Sequence, residues 1–64
     1  MDETPELNLL FHRLNNQLGI ILAHAELLEA KAPDDAHRLR AAHVVGATLE
    51  ALSVTRVLRE RAQL

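Results

Sequence analysis

The stretch that decides the fold is "FHRLNNQLGIILAHAELLE", residues 11–29. Together with the residues just before it, it carries apolar side chains in alternating steps of four and three residues, at Leu7, Phe11, Leu14, Leu18, Ile21, Ala25 and Leu28. This heptad pattern is typical of an α-helix that packs along its length against another helix. Four further apolar residues widen the stripe, namely Leu10, Ile20, Leu22 and Leu27. A stripe of this width predicts that the helix contacts more than one neighbour.

The residues that flank this stretch predict where the first helix begins and ends. Thr4 is a candidate N-cap, and Pro5 suits the first helical position, where an N–H group has no partner within the helix. Pro33 disfavours a helical conformation at the residue before it, so the first helix ends at or before Ala32. We therefore expect helix 1 at about residues 5–32.

A second helix follows after a short turn at residues 33–35, in which Asp34 or Asp35 can serve as its N-cap. It is expected at about residues 36–61, and it again carries two adjacent apolar seams. One seam comprises Ala41, Val45, Leu49 and Leu52, and the other comprises Val44, Ala47, Ala51, Val54 and Leu58. So short a connection places the two helices antiparallel, as a helical hairpin.

The chain is long enough for one small domain, residues 1–64, and a monomer of this size is marginally stable. Without cysteine it can form neither disulfides nor thiolate metal sites, so oligomerisation is the expected source of further stability. One hairpin cannot cover two seams on each helix, whereas two hairpins can. We therefore predict an all-α fold in which an antiparallel helical hairpin forms a homodimeric four-helix bundle.

Composition and charge argue against several classes of protein. The net charge of −2 gives no electrostatic basis for binding nucleic acid. The longest apolar run, residues 18–25, is interrupted by His24 and is far shorter than the roughly 20 residues of a membrane-spanning helix. The first residues, "MDETPE", are acidic where a secretory signal carries basic residues. A cytoplasmic protein that engages no membrane is expected.

His12 is the residue of the opening stretch that is best suited to take part in a reaction. With Phe11 and Leu14 in the seam, His12 points just outside it toward solvent. Asn16 follows one turn later on the same stripe, so an exposed imidazole stands beside an amide that can orient water. Most exposed histidines on helices are simply solvated, and spacing alone favours that interpretation.

The same stretch, read as "FHRLNNQLGIILAHAELL", resembles the histidine-containing helix of the dimerisation and histidine-phosphotransfer domain of sensor histidine kinases. In outline, those helices carry a histidine, an acidic residue, a leucine, one or two asparagines and then an apolar run that ends near "AELL". The matching positions here are His12, Leu14, Asn15, Asn16, Leu18, Ile21, Ala25, Glu26, Leu27 and Leu28. The likeness extends more weakly through the turn into "GATLEALSVTRVLRER", and so covers nearly the whole chain.

The resemblance implies that His12 carries a phosphoryl group and exchanges it with an aspartate of a response-regulator receiver domain. In the family, the residue four positions after the histidine helps to orient water for dephosphorylation of the receiver, and Asn16 occupies that position. Mg²⁺ is expected only from the receiver, because the sequence near His12 has no cluster of carboxylates. No bound cofactor or metal is expected. A receiver domain or a sensor kinase is the expected partner, besides a second copy of the chain.

Two positions depart from the family pattern. Arg13 stands where the family has an acidic residue that accepts the N–H of the histidine, and a guanidinium can only donate. Arg13 could instead pair with a phosphoryl oxygen, so Arg13 and Asn15 are candidate modulating residues. Gln17 stands where many family members have proline, which predicts a straighter helix.

The chain has no glycine-rich nucleotide motif, so no autokinase activity is expected. Three roles fit its features. The first is a histidine phosphotransferase or receiver phosphatase that acts through His12 and Asn16. The second is an inactive dimerisation module that docks on a receiver or a kinase. The third is one part of a larger kinase. A fourth alternative is a plain helical dimer whose resemblance arises by chance.

The remaining polar residues and glycines give weaker signals. His24, His37 and His43 lack the spacing that places two metal ligands together on one helix, so no metal site is expected. Three arginines suit the negative end of the dipole of the second helix and are interpreted as a solvated face, namely Arg56, Arg59 and Arg61. Gly19 and Gly46 are candidates for positions of close helix approach.

Overall fold

The protein is a hairpin of two long α-helices, seen in a computed structural model that describes residues 5–62. α1 comprises Pro5–Ala30 and α2 comprises Asp35–Ala62. The helices run antiparallel over their whole length, since Asn8 near the start of α1 bonds to Arg59 near the end of α2. The predicted all-α fold and its helical hairpin are confirmed. Thr4, the expected N-cap of α1, lies outside the described residues.

α1 ends two residues before the expected limit, at a turn shaped by Pro33. The N–H of Lys31 donates to the carbonyl of Leu27 at 3.0 Å, and this bond closes the last regular turn. The N–H of Ala32 then reaches only three residues back, to the carbonyl of Glu29 at 3.4 Å. Proline has no N–H and disfavours a helical residue before it, so the helix tightens and stops here.

Asp34, and not Asp35, caps α2. Its Oδ1 accepts the N–H of His37 at 2.8 Å, and its carbonyl accepts the N–H of Arg38 at 3.0 Å. The Nδ1 of His37 also donates to both carboxylate oxygens of Asp34, at 2.8 and 3.0 Å. The backbone hydrogen bond, and then the side-chain ones, hold the pKa of the Asp34 carboxyl below its ordinary value. Asp35 pairs instead with Arg38.

The two helices meet along a narrow seam of small side chains. The buried residues of this seam are Ala25, Ala41, Thr48 and Thr55. The hydroxyl of Thr48 donates to the carbonyl of Val44 at 2.7 Å, and that of Thr55 bonds one turn back in the same way at 2.8 Å. Because both hydroxyls are satisfied within their own helix, threonine is buried here at little energetic cost. Small side chains also let the two backbones approach each other.

The residues that lie between the two helices match the predicted seams only in part. Three residues of the predicted α1 seam are exposed instead, namely Leu14, Ile21 and Leu28. The other four residues of that seam are half-buried or buried, as is Leu22, namely Leu7, Phe11, Leu18 and Ala25. On α2, Leu49 is 52% exposed, and Thr48 occupies the inner position expected for it. Several large apolar side chains are therefore left outside the hairpin.

The apolar residues left outside form an outer stripe on each helix. The outer stripe of α1 comprises Leu10, Leu14, Ile21 and Leu28, and that of α2 comprises Val44, Ala47, Val54 and Leu58 with the half-buried Ala51. Leu28 and Val44 line one groove of ≈ 300 Å³ beside the turn, so the two stripes begin on the same side of the hairpin. Each keeps heptad steps along its helix, so they stay on that side. We call this surface the apolar face.

The hairpin is too thin to bury the apolar face itself. It measures 50 × 16 × 10 Å, and its smallest dimension is about the diameter of one helix. Two helices side by side share a seam but enclose no core. Among residues 5–62, nothing covers the apolar face.

By length and composition alone, α2 is also apolar enough to cross a membrane, with a mean hydropathy of 1.2 over 18 residues. Only 17% of that stretch is buried in the hairpin. Its apolar residues divide between the inner seam and the outer stripe, while Glu50 and Arg56 lie among them as exposed charges. This division is typical of a helix that packs in a bundle.

Candidate functional site

A groove of ≈ 420 Å³ between the two helices contains His12. α1 lines it with Phe11, His12 and Asn15, and α2 lines it with Leu49, Leu52, Ser53, Thr55, Arg56 and Arg59. Phe11 and Leu52 are half-buried and give the groove an apolar base, whereas the His12 side chain is exposed. We call this the His12 groove.

The antiparallel register of the hairpin brings the polar residues of the groove together. The Nη2 of Arg59 donates to the Oδ1 of Asn8 at 2.9 Å and ties the open ends of the two helices to each other. His12 lies one turn further along α1, and Arg56 lies one turn earlier along α2. Because the helices run in opposite directions, these two residues stand at the same level on either side of the seam.

The His12 groove carries cationic and neutral polar groups but no carboxylate among its lining residues. Arg59 is engaged by Asn8. Arg56 and the His12 ring form no side-chain hydrogen bond or ion pair within residues 5–62. A guanidinium without a partner among the described residues, in a groove that an imidazole also lines and no carboxylate does, favours an anionic ligand.

Two of the four predicted site residues line the groove, and two do not. His12 and Asn15 line it. Asn16 is exposed one turn beyond His12 and outside the groove, and Arg13 is also exposed and outside it. One residue along a helix is a rotation of about 100°, so Arg13 points away from α2 although it follows His12 in sequence.

Sequence reasoning did not find the residues of α2 that meet His12. The sequence predicts a solvated face for Arg56 and Arg59 and no role for Ser53, yet all three line the groove with His12. Arg61 is exposed and lies outside it. The signal that could have found them is the short turn, because equal counts outward from Ala30 and Asp35 place Ser53 opposite His12, with Arg56 about one turn further along α2.

The other histidines are not part of the groove. His24 and His43 are exposed, and His37 is engaged by the N-cap Asp34. In the part of the chain that the structure describes, no group of three or more His, Asp or Glu side chains is placed to hold a metal ion.

The glycines do not serve the close helix approach that was expected of them. A Cβ added at Gly19 or Gly46 would meet no atom within 4 Å. The most buried alanines are instead Ala25 and Ala41, which are 3% and 8% exposed.

The His12 groove and the apolar face lie on opposite sides of the hairpin. His12 is two residues from both Leu10 and Leu14 of the outer stripe, and two residues rotate a side chain by about 200° round a helix. On α2, Ser53 of the groove is two residues from Ala51 of the outer stripe. A partner that covers the apolar face therefore leaves His12 accessible.

No protein-family model, curated protein or solved structure matches this chain. The likeness to the phosphotransfer domain of sensor histidine kinases thus stands on the residues of the chain itself.

Proposed function

We propose that this chain is a two-component signalling module that accepts or removes phosphoryl groups through His12, in exchange with a response-regulator receiver domain. The observation that carries the proposal is the His12 groove, where an exposed imidazole stands beside Arg56 with no acid among the lining residues. The resemblance of residues 11–28 to the family's histidine-containing helix supports a phosphoryl group as the anion.

The functional unit in this proposal is a homodimeric four-helix bundle, in which the apolar faces of two hairpins cover each other. The exposed side chains of the outer stripes support this arrangement, with Leu28 at 67% and Leu58 at 52% exposure. Their heptad steps suit the roughly 20° crossing of such bundles. Because the His12 groove lies on the opposite side, each dimer presents two grooves to receivers. A bundle that covers both stripes needs no membrane, which supports the proposed cytoplasmic location.

The proposed reaction is an exchange between aspartyl phosphate and imidazole. The lone pair of an unprotonated nitrogen of His12 attacks the phosphorus, and the bond from phosphorus to the aspartate oxygen breaks. The electron pair of that bond leaves with the carboxylate of the receiver, and the proton on the other ring nitrogen is released to water. The reverse steps return the phosphoryl group to a receiver.

This chain contributes position and charge to the reaction, and the receiver contributes the metal. A rigid helix holds the imidazole at the surface, so little ordering is needed when the receiver docks. Arg56 lies where phosphoryl oxygens would come closest to α2. Asn16, one turn beyond His12, is proposed to orient a water molecule against the receiver's aspartyl phosphate. Mg²⁺ enters with the receiver.

A second function, docking without chemistry, is favoured by one specific observation. Arg13 replaces the family's acidic residue, and no carboxylate lines the His12 groove, so nothing in the described residues accepts the N–H of the imidazole. A dimer without this acceptor still binds a receiver through the same groove. It then competes for receivers and does not dephosphorylate them.

The experiment that separates the two functions follows receiver phosphorylation directly. A panel of purified receiver domains, phosphorylated with acetyl phosphate and supplied with Mg²⁺, is incubated with the protein, and the phosphoryl content of both chains is measured over time. Phosphotransfer gives an acid-labile, alkali-stable label on the protein, and phosphatase action gives faster loss from the receiver.

Variants assign each effect to a residue. His12→Ala should abolish the label, and Asn16→Ala should abolish the faster loss. His24→Ala is the matched control, because His24 is an exposed histidine of the same helix outside the groove. A receiver that binds with neither effect would leave docking as the function.

A further inference from the structure

We propose that the His12 groove is a phosphoryl-binding site in which Arg56 of α2, and not the neighbouring Arg13, engages the oxygens of the group attached to His12. This inference rests on the proposed function for the identity of the anion, and deepens it by naming the residue that binds the anion.

Arg56 is the arginine of the groove that is available for a ligand. The other one, Arg59, already donates to Asn8 at 2.9 Å across the seam. Arg56 forms no hydrogen bond or ion pair with the described residues, although it is long enough to find one. Its position at the level of His12 follows from the same register that joins Arg59 to Asn8.

The polar residues around Arg56 can bind the oxygens of a phosphoryl group. The hydroxyl of Ser53 and the amide of Asn15 line the groove together with Arg56, so donors surround the space next to the imidazole. A planar guanidinium binds two oxygens of a phosphoryl group at once. The volume of ≈ 420 Å³ leaves room for the group that brings the phosphoryl group in.

Arg13 is excluded from this role by its direction. It is one residue, and so about 100° of rotation, from His12, and it is not among the residues that line the groove. The position next to the histidine in sequence is therefore not the position next to its ring in space. Arg56 supplies across the seam the positive charge that Arg13 was expected to supply along the helix.

The test uses phosphoramidate as the phosphoryl donor, so that no receiver is needed. The lone pair of an imidazole nitrogen forms the new N–P bond, and the P–N bond of phosphoramidate breaks with its electron pair leaving on ammonia. The proton on the other ring nitrogen goes to water. Mass spectrometry of peptides at alkaline pH gives the labelling rate at each histidine, and inorganic phosphate titrated against the ring signals of His12 by NMR gives binding alone.

Replacement of Arg56 should slow labelling at His12 selectively. We expect Arg56→Gln to lower the labelling rate of His12 and its affinity for phosphate about fivefold, the size of one solvent-exposed charge pair of about 1 kcal/mol. Labelling at His24 should not change. Arg56→Lys should restore part of the effect, and Arg13→Gln is the matched control that should behave as the wild type.

Equal effects of Arg13→Gln and Arg56→Gln would overturn the inference, as would no effect of either. Its failure is distinguishable from failure of the proposed function. If phosphate binding depends on Arg56 but the protein exchanges no phosphoryl group with receivers, the binding site is supported and the proposed exchange is refuted. Exchange with receivers that is indifferent to Arg56→Gln supports the function and refutes the site.

Discussion

Replacing Ile21 with glutamate tests whether a second copy of the chain covers the apolar face. Ile21 lies in the middle of the outer stripe of α1 and is 46% exposed in the hairpin. Ile20 is the matched control, because it is the same residue type, is 53% exposed and lies one position away. That position is rotated by about 100°, which turns Ile20 away from both α2 and the apolar face.

The expected loss of dimer affinity follows from the part of the Ile21 side chain that is still exposed in the hairpin. Covering the exposed part of Ile21 adds roughly half of the 1.5–3 kcal/mol that full burial of an isoleucine contributes, or about 1 kcal/mol per chain. A twofold-symmetric dimer contains the substitution twice, and each buried carboxylate adds a desolvation penalty of several kcal/mol. Ile21→Glu should therefore weaken the dimer by at least about 4 kcal/mol, which is about a thousandfold in Kd. On a free surface, the same change is worth about 0.5 kcal/mol or less.

Sedimentation equilibrium over a range of concentrations measures the difference. The wild type and Ile20→Glu should sediment as dimers at micromolar concentration, and Ile21→Glu should sediment as a monomer. Circular dichroism of each variant shows whether the helices remain. A monomeric wild type, or equal behaviour of the two variants, would refute the assignment of the apolar face to a second copy.

Three further predictions concern the hairpin itself. Ala25→Leu should lower the free energy of unfolding by about 1–3 kcal/mol, measured by urea denaturation, because Ala25 is only 3% exposed and a leucine there would overpack the buried seam. Gly46→Ala should raise it by about 1 kcal/mol, because the new Cβ meets nothing within 4 Å and helical alanine is favoured over glycine. Asp34→Asn removes a carboxyl whose pKa is lowered in the folded state, so the advantage of the wild type over this variant is present above the ordinary pKa of aspartate. That advantage should disappear as the pH falls through the lowered pKa, which thermal melts from neutral to strongly acidic pH will show.

The hairpin itself was predictable because its signals are local. Pro33 stops one helix, Asp34 caps the next within a few residues, and the alternation of four and three residues is read along a single helix. The choice between two seams on the same helix was not predictable from hydrophobicity alone. The most buried positions are held by small residues such as Ala25 and Thr48, while Ile21 and Leu49 are exposed. A pattern of apolar residues also omits threonine. Thr48 can nevertheless be buried, because its hydroxyl donates to a carbonyl one turn back along its own helix.

The residues of the candidate site also differ in whether local sequence could predict them. His12 was found from its place beside the seam and from the resemblance of the residues around it. Arg56 was not, because its relation to His12 exists only once the register of two distant segments is known. The sequence suggests Arg13 as a phosphoryl partner because it shows only which residues are adjacent along the chain, and Arg13 is adjacent to His12.

The most direct test of the central claim, that His12 carries a phosphoryl group, is the position of the label after incubation with phosphorylated receivers and Mg²⁺. The chain contains four histidines. We expect peptide mapping at alkaline pH to find the phosphoryl group on His12 and on none of the other three. No label with any receiver of the panel and no faster loss from any receiver, or a label spread evenly over His12, His24 and His43, would contradict the claim.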